Sequence, residues 1–170
     1  MVMENLLAEI EYHGVQAPDG PTFALWRAVI ALVHVDGDLA PAERSLVSQV
    51  MEIFGFSDVQ RETISADLSK AGEVRALFQE IELGTHRAQF FRLARIVIWC
   101  DGILHNDELS VIEAIKDDLG DEALDYASDL RWINRKPDLP LGEQASTPEE
   151  NMIKQLIYQM IAFYEQKEEE

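Results

Sequence analysis

The chain has 170 residues, 47% of them hydrophobic, which is enough for one compact domain with a buried core. Its 32 acidic and 14 basic side chains give a formal net charge of −18, which disfavours nucleic acids and anionic membrane surfaces as partners. A single cysteine, Cys100, excludes an internal disulfide and a thiolate metal cluster. With no secretory signal pattern and no apolar stretch of about 20 residues, we expect a cytoplasmic protein.

The first half of the chain reads as helices separated by glycine and proline. Its longest apolar run is nearly continuous, which is typical of a helix in the centre of a bundle. Pro41 suits the first turn of the helix that follows this run. Ser57 and Gln60 form a capping-box pattern at the start of the next helix. The helices predicted here are 3–12, 22–35, 41–54, 57–69 and 74–81, with a loop over 15–21.

The second half repeats this order. Gly120 follows its second helix at the position that Gly55 occupies in the first half. Thr147 and Pro148, a cap and a first-turn proline, start the last helix. No alternating strand pattern is present, so we predict an all-α, single-domain helical bundle (1–170) of about seven to nine helices, with two helix pairs related by a pseudo-twofold. The helices predicted in this half are 86–100, 107–119, 122–133 and about 148–166.

One stretch occurs twice, as an apolar run, Asp-Gly, five further residues and Glu. At a constant offset of 65 residues, Asp36 matches Asp101 and Glu43 matches Glu108. In a purely structural interpretation, Asp-Gly ends one helix, and the glutamate reaches back to the first amides of the next. That role alone accounts for the pattern. The two copies are 31–47 (ALVHVDGDLAPAERSLV) and 96–112 (IVIWCDGILHNDELSVI).

A divalent-cation site is the alternative interpretation of the same stretch. Calcium and magnesium bind several oxygen ligands on flexible loops. A pseudo-twofold would bring the two acidic turns together, and a cation would offset the repulsion between their carboxylates. The spacing differs from that of an EF-hand, in which the last ligand is a glutamate at position 12 of the loop. The candidate metal ligands are Asp36, Asp38 and Glu43 in the first turn and Asp101, Asp107 and Glu108 in the second.

The remaining residues with reactive side chains fit structural roles. His34 and His105 lie near the acidic turns but at positions that do not match, so we predict partly buried or helix-capping roles for these two histidines and for the other two. Cys100 continues an apolar helix and is interpreted as a small buried residue. No catalytic residue is predicted. The remaining histidines are His13 and His86, and the tryptophans, which we place in the core, are Trp26, Trp99 and Trp132.

The sequences VDGDLAPAER (35–44), GFS (55–57) and CDGILHNDE (100–108) resemble the TerB-like (tellurite-resistance B) helical domains over about residues 23–133. This resemblance implies an all-α fold with internal pseudo-symmetry and a link to tellurite and other stress responses in bacteria. It also implies divalent-metal binding at the acidic positions. The chain differs from the membrane-anchored J-domain co-chaperones of the family because it has no His-Pro-Asp tripeptide and no anchor. Ile103 stands where Asp38 would require an acidic counterpart, which argues against a symmetric six-acid site.

The resemblance favours a non-enzymatic stress-response module that binds a divalent cation. Two alternatives stay open: an acidic helical adaptor that binds a protein partner without metal, and, with less support, a hydrolase that uses paired carboxylates and a metal-bound water. We expect a protein partner of unidentified kind, no nucleic acid and no membrane insertion. The sequence leaves a homodimer open.

Overall fold

The structure is a computed structural model. It describes residues 17–35, 41–69, 73–99, 106–135 and 148–168, and every regular element in these ranges is helical. The all-α bundle predicted from the sequence is therefore confirmed. The α-helices are α1 (Gly20–Val33), α2 (Pro41–Ile53), α3 (Asp58–Ser69), α4 (Val74–Gln79), α5 (Gly84–Ile98), α6 (Asn106–Leu119), α7 (Ala127–Arg131) and α8 (Pro148–Glu168), and a 3-10 helix (Gly120–Tyr126) lies between α6 and α7.

Side-chain caps determine where two of the helices begin. Asp19 accepts a hydrogen bond of 2.9 Å from the backbone N–H of Thr22, so α1 starts two residues earlier than predicted. The predicted capping box before α3 is confirmed. The backbone N–H of Ser57 donates to Gln60 Oε1 at 3.0 Å, and the backbone N–H of Gln60 donates to Ser57 Oγ at 3.2 Å.

The single helix predicted over 122–133 is wrong. The chain forms a 3-10 helix from Gly120 to Tyr126 and only then the short α7. The segment 122–133 has too few apolar residues to form the buried face of one regular helix. Tyr126 and Ile133 are buried, but Leu124 is 76% exposed. Other boundaries differ by two residues: α1 and α5 end at Val33 and Ile98 rather than at 35 and 100, α4 ends at Gln79 rather than at 81, and α5 starts at Gly84 rather than at 86. The predicted helix over 3–12 lies outside the described residues.

The core is centred on α1 and α5, which pack directly against each other. The first of these two helices also contacts α3 and α4, and the second contacts α6, α7 and α8. Burial of the aromatic rings in this core supplies the main driving force for folding. Within the described ranges, no helix combines the length and the hydrophobicity that a membrane span requires. The largest fully buried side chains include Trp26, Phe54, Phe78, Phe90 and Phe91.

The helix boundaries follow the sequence repeat. α1 and α5 end at Val33 and Ile98, which are 65 residues apart, and α2 and α6 begin with the same separation. Gly55 and Gly120 both adopt a positive φ, 66° and 57°, after the second helix of each pair. The sequence repeat is thus also a repeat of helices and of their ends. The pseudo-twofold relation between the two pairs stays a prediction.

Candidate functional site

The six predicted metal ligands fall at the starts of α2 and α6 and in the segments 36–40 and 101–105 that precede them, which lie outside the described residues. Asp107 and Glu108 both lie in the first turn of α6. Asp107 is exposed, whereas Glu108 is buried with 8% of its surface accessible. Asp36, Asp38 and Asp101 lie outside the described residues, as does the side chain of Glu43, which belongs to the first turn of α2.

Burial of Glu108 bears on its charge, because an ionised side chain that loses its hydration inside a protein has to be compensated. The positive end of the α6 dipole supplies part of this compensation. The capping interpretation and the cation interpretation both require a carboxylate at this position. Its burial therefore supports a role for Glu108 at the start of α6 and does not distinguish between the two interpretations.

The starts of α1 and α5 lie side by side. Thr22 Oγ1 and His86 Nε2 are 3.4 Å apart, and the His86 ring also meets Phe163 of α8 edge-on, with 5.1 Å between centroids. His86 is 3% exposed. It is therefore a buried residue that contacts two other helices, whereas the sequence predicted a partly buried or helix-capping role.

His34 is buried as well and is the C-terminal cap residue of α1. Its Nδ1 lies 2.7 Å from the Ile30 carbonyl oxygen, which confirms the predicted capping role. His13, His105 and Cys100 lie outside the described residues. In the part of the chain that the structure describes, no three His, Cys, Asp or Glu side chains are grouped closely enough to hold a metal ion.

Several arginines are neutralised by acids within the fold. Arg27 binds Asp67 through two hydrogen bonds of 2.8 and 2.9 Å, and these bonds raise the pKa of the guanidinium above its usual value. At the surface, the hydrogen bond from Arg75 holds the pKa of the Asp118 carboxyl below its usual value. Because basic residues are scarce and several are occupied, the exposed carboxylates are largely uncompensated. The other ion pairs are Arg27–Glu80, Arg87–Glu122 and Arg92–Asp129.

Trp132 does not lie in the core, contrary to the prediction from the sequence. It is 38% exposed, and the guanidinium carbons of Arg131 and Arg135 lie 5.2 and 4.8 Å from the centroid of its ring. We call Arg131, Trp132 and Arg135 the Trp132 cluster. The signal in the sequence was RWINR, a tryptophan between two arginines in an otherwise acidic chain.

Comparisons with known proteins leave the chain without an identified relative: no family model, no curated protein and no solved structure matches it. The fold defines an all-α helical bundle. Assignment to the TerB-like domains stays a prediction that rests on the repeated Asp-Gly stretch.

Proposed function

We propose that the protein is a non-enzymatic, cytoplasmic, TerB-like module of the kind linked to bacterial stress and tellurite responses. In this proposal it binds one divalent cation, calcium or magnesium, between two acidic corners. The corners are the segments 36–43 and 101–108, which join α1 to α2 and α5 to α6. The observation that carries the proposal is the side-by-side start of α1 and α5.

The argument from this contact is geometric. The two helices start together at the Thr22–His86 contact and have 14 and 15 residues, so at about 1.5 Å per residue their lengths are nearly equal. They also pack directly against each other. We therefore infer that both corners leave the same end of the bundle.

The chemistry of the corners suits a hard cation. Ca²⁺ and Mg²⁺ take carboxylate oxygens as ligands, and the matched positions Asp36, Glu43, Asp101 and Glu108 supply four carboxylates. Support comes from Glu108, which lies at the start of α6 and is a buried residue, 8% exposed. A bound cation would stabilise such carboxylates and lower their mutual repulsion.

Thermal unfolding of metal-free protein in calcium, magnesium, manganese or zinc tests this proposal. At an ion concentration of 100 times Kd, binding raises the free energy of unfolding by about 2.7 kcal/mol. For a domain of this size the expected rise in Tm is about 5 to 10 °C. No shift with any of these ions at millimolar concentration would refute the cation site.

Paired variants locate the ion. Asp36→Asn combined with Asp101→Asn should abolish the rise in Tm. Glu62→Gln combined with Glu113→Gln removes the same number of charges from exposed positions outside the corners and should preserve it. A rise that survives the first pair would place the ion elsewhere.

An acidic adaptor without metal is the second candidate, and the pairing of Arg27, Arg75, Arg87 and Arg92 with internal acids favours it. Because these four arginines already pair with acids of the same chain, the remaining carboxylates can attract a basic partner. Hexalysine binding measured in the presence of a chelator tests this candidate. The adaptor predicts binding that weakens as NaCl is raised, and no binding at low salt would contradict it.

A further inference from the structure

We propose that the Trp132 cluster is a docking site for a short acidic peptide segment of a partner protein. This inference is independent of the cation site. It rests on the exposure of Trp132, on the state of the two neighbouring guanidinium groups and on the rigid support of the turn that carries them.

The two arginines of the cluster, Arg131 and Arg135, are exposed and, within the described ranges, have no carboxylate partner. The guanidinium carbon of each lies over the Trp132 ring. A planar guanidinium binds a carboxylate through two parallel hydrogen bonds.

Two neighbouring arginines of α5, unlike the two in the Trp132 cluster, already bind acceptors within the described residues. Arg92 is bound to Asp129 at 3.0 Å, and Arg95 donates to a backbone carbonyl. Arg131 and Arg135 thus carry two guanidinium charges that no described carboxylate pairs with, on a chain whose net charge is −18. Carboxylates are the groups that complement such charges.

Two hydrogen bonds from the end of α5 fix the backbone of the turn after α7. Trp99 Nε1 donates to the Ile133 carbonyl oxygen at 3.0 Å, and Arg95 Nε donates to the Arg135 carbonyl oxygen at 2.8 Å. Both donors belong to the last turn and C-terminal cap of α5, and Ile133 is 3% exposed. The cluster is thus presented by a fixed backbone, which lowers the entropic cost of binding.

The size of the cluster and the charge of the chain select a short acidic peptide over a nucleic acid. At physiological salt the Debye length is about 8 Å, so the two guanidiniums dominate the field that a short ligand meets. A long polyanion reaches beyond this distance and is repelled by the acidic surface. The exposed part of the Trp132 side chain, a residue 38% accessible, adds an apolar contact of the kind found at the centres of protein interfaces.

The indole N–H signals in a ¹⁵N–¹H NMR spectrum report on this site directly. Trp26 and Trp99 each donate their indole N–H inside the fold, to Tyr164 Oη at 2.9 Å and to the Ile133 carbonyl oxygen. Trp132→Phe assigns the third signal. In a titration with hexaglutamate, with chelator present, we expect the Trp132 signal to move with saturation while the Trp26 signal stays in place.

Matched variants test the role of the arginines. Arg131→Gln combined with Arg135→Gln should weaken hexaglutamate binding by about tenfold or more. Arg44→Gln removes an exposed arginine elsewhere and should change the affinity by about twofold or less. Arg131→Lys combined with Arg135→Lys keeps the charge but loses the planar fork, and an intermediate affinity is expected.

Four results would overturn the proposal. The first is a Trp132 signal that does not move at millimolar hexaglutamate, and the second is an equal response to hexaglutamine. The third is tighter binding of an oligothymidylate at the same salt, which would assign the cluster to nucleic acid. The fourth is a Trp132 signal that moves with protein concentration alone, which would assign it to contact with a second copy.

Discussion

Arg27 illustrates how a single side chain joins three parts of this bundle. It lies in α1, and it binds Asp67 of α3 and Glu80 just after α4. Arg27 and Asp67 are only 23% and 16% exposed, so water screens their interaction less than it screens a surface pair. Such a pair fixes the relative positions of helices as well as adding stability.

Arg27→Gln should lower the free energy of unfolding by about 1 to 3 kcal/mol, because it leaves the mostly buried Asp67 carboxylate without its charged partner. Urea denaturation measures the change. Arg75→Gln is the matched control, since the Arg75–Asp118 pair has exposures of 58% and 30%. The control should cost less, and equal losses would refute the role assigned to burial.

Tyr126 provides a test by pH. Burial raises its pKa, and the nearby Glu122 carboxylate raises it further. A group whose pKa is higher in the folded state contributes stability that is complete below the unfolded value, about 10, and is lost as the pH rises through the folded value.

The free energy of unfolding should therefore fall as the pH rises above about 10. Tyr126→Phe should remove part of that fall. Tyr158→Phe changes an exposed tyrosine, 43% accessible, and should leave the fall in place. Urea denaturation at pH 8, 9, 10 and 11 makes the comparison, and identical pH profiles for the two variants would contradict it.

At the scale of the elements, the ends of the helices carry the pattern of the repeat. Gly120 ends α6 at a φ of 57°, and a Cβ added there would meet nothing within 4 Å. The cost of a side chain at this position therefore comes from the backbone conformation alone.

Gly120→Ala should lower the free energy of unfolding by about 1 kcal/mol, since alanine disfavours a positive φ. Gly20→Ala is the control: Gly20 is the first residue of α1 and also has space for a Cβ. It should be neutral or stabilising, because alanine narrows the unfolded ensemble. Thermal unfolding of both variants decides the matter, and a loss of equal size in both would rule out the role of the positive φ.

Elements with strong local signals were predictable from the sequence. The Ser57–Gln60 box and the apolar faces around the glycines determined where α2, α3, α5 and α6 lie, because caps and hydrophobic periodicity act over a few residues. The segment 120–131 was not predictable in this way, since its weak periodicity allows a 3-10 helix.

The candidate sites show the same limit. The repeat identified the acidic residues of the corners, but whether they converge depends on how α1 and α5 cross, which is a tertiary property. Trp132 was wrongly placed in the core because hydrophobicity alone does not reveal that the side chain is partly exposed, with two guanidinium groups over its ring.

At the scale of the whole molecule, the net charge of −18 lowers the stability of the fold through electrostatic repulsion. Repulsion among the uncompensated carboxylates opposes the compact state. Internal pairing of several arginines offsets part of this repulsion. The proposed cation would offset more of it at the two corners, where the repeat concentrates acids.

The number of ions bound per chain tests this account most directly. Equilibrium dialysis of metal-free protein with calcium, or with magnesium if only that ion raises Tm, should give one ion per chain. Because the two corners share that ion, Glu43→Gln and Glu108→Gln should each abolish binding while circular dichroism shows the helices retained. Two ions per chain with one lost in each variant, or no bound ion at all, would contradict a single site built from both corners.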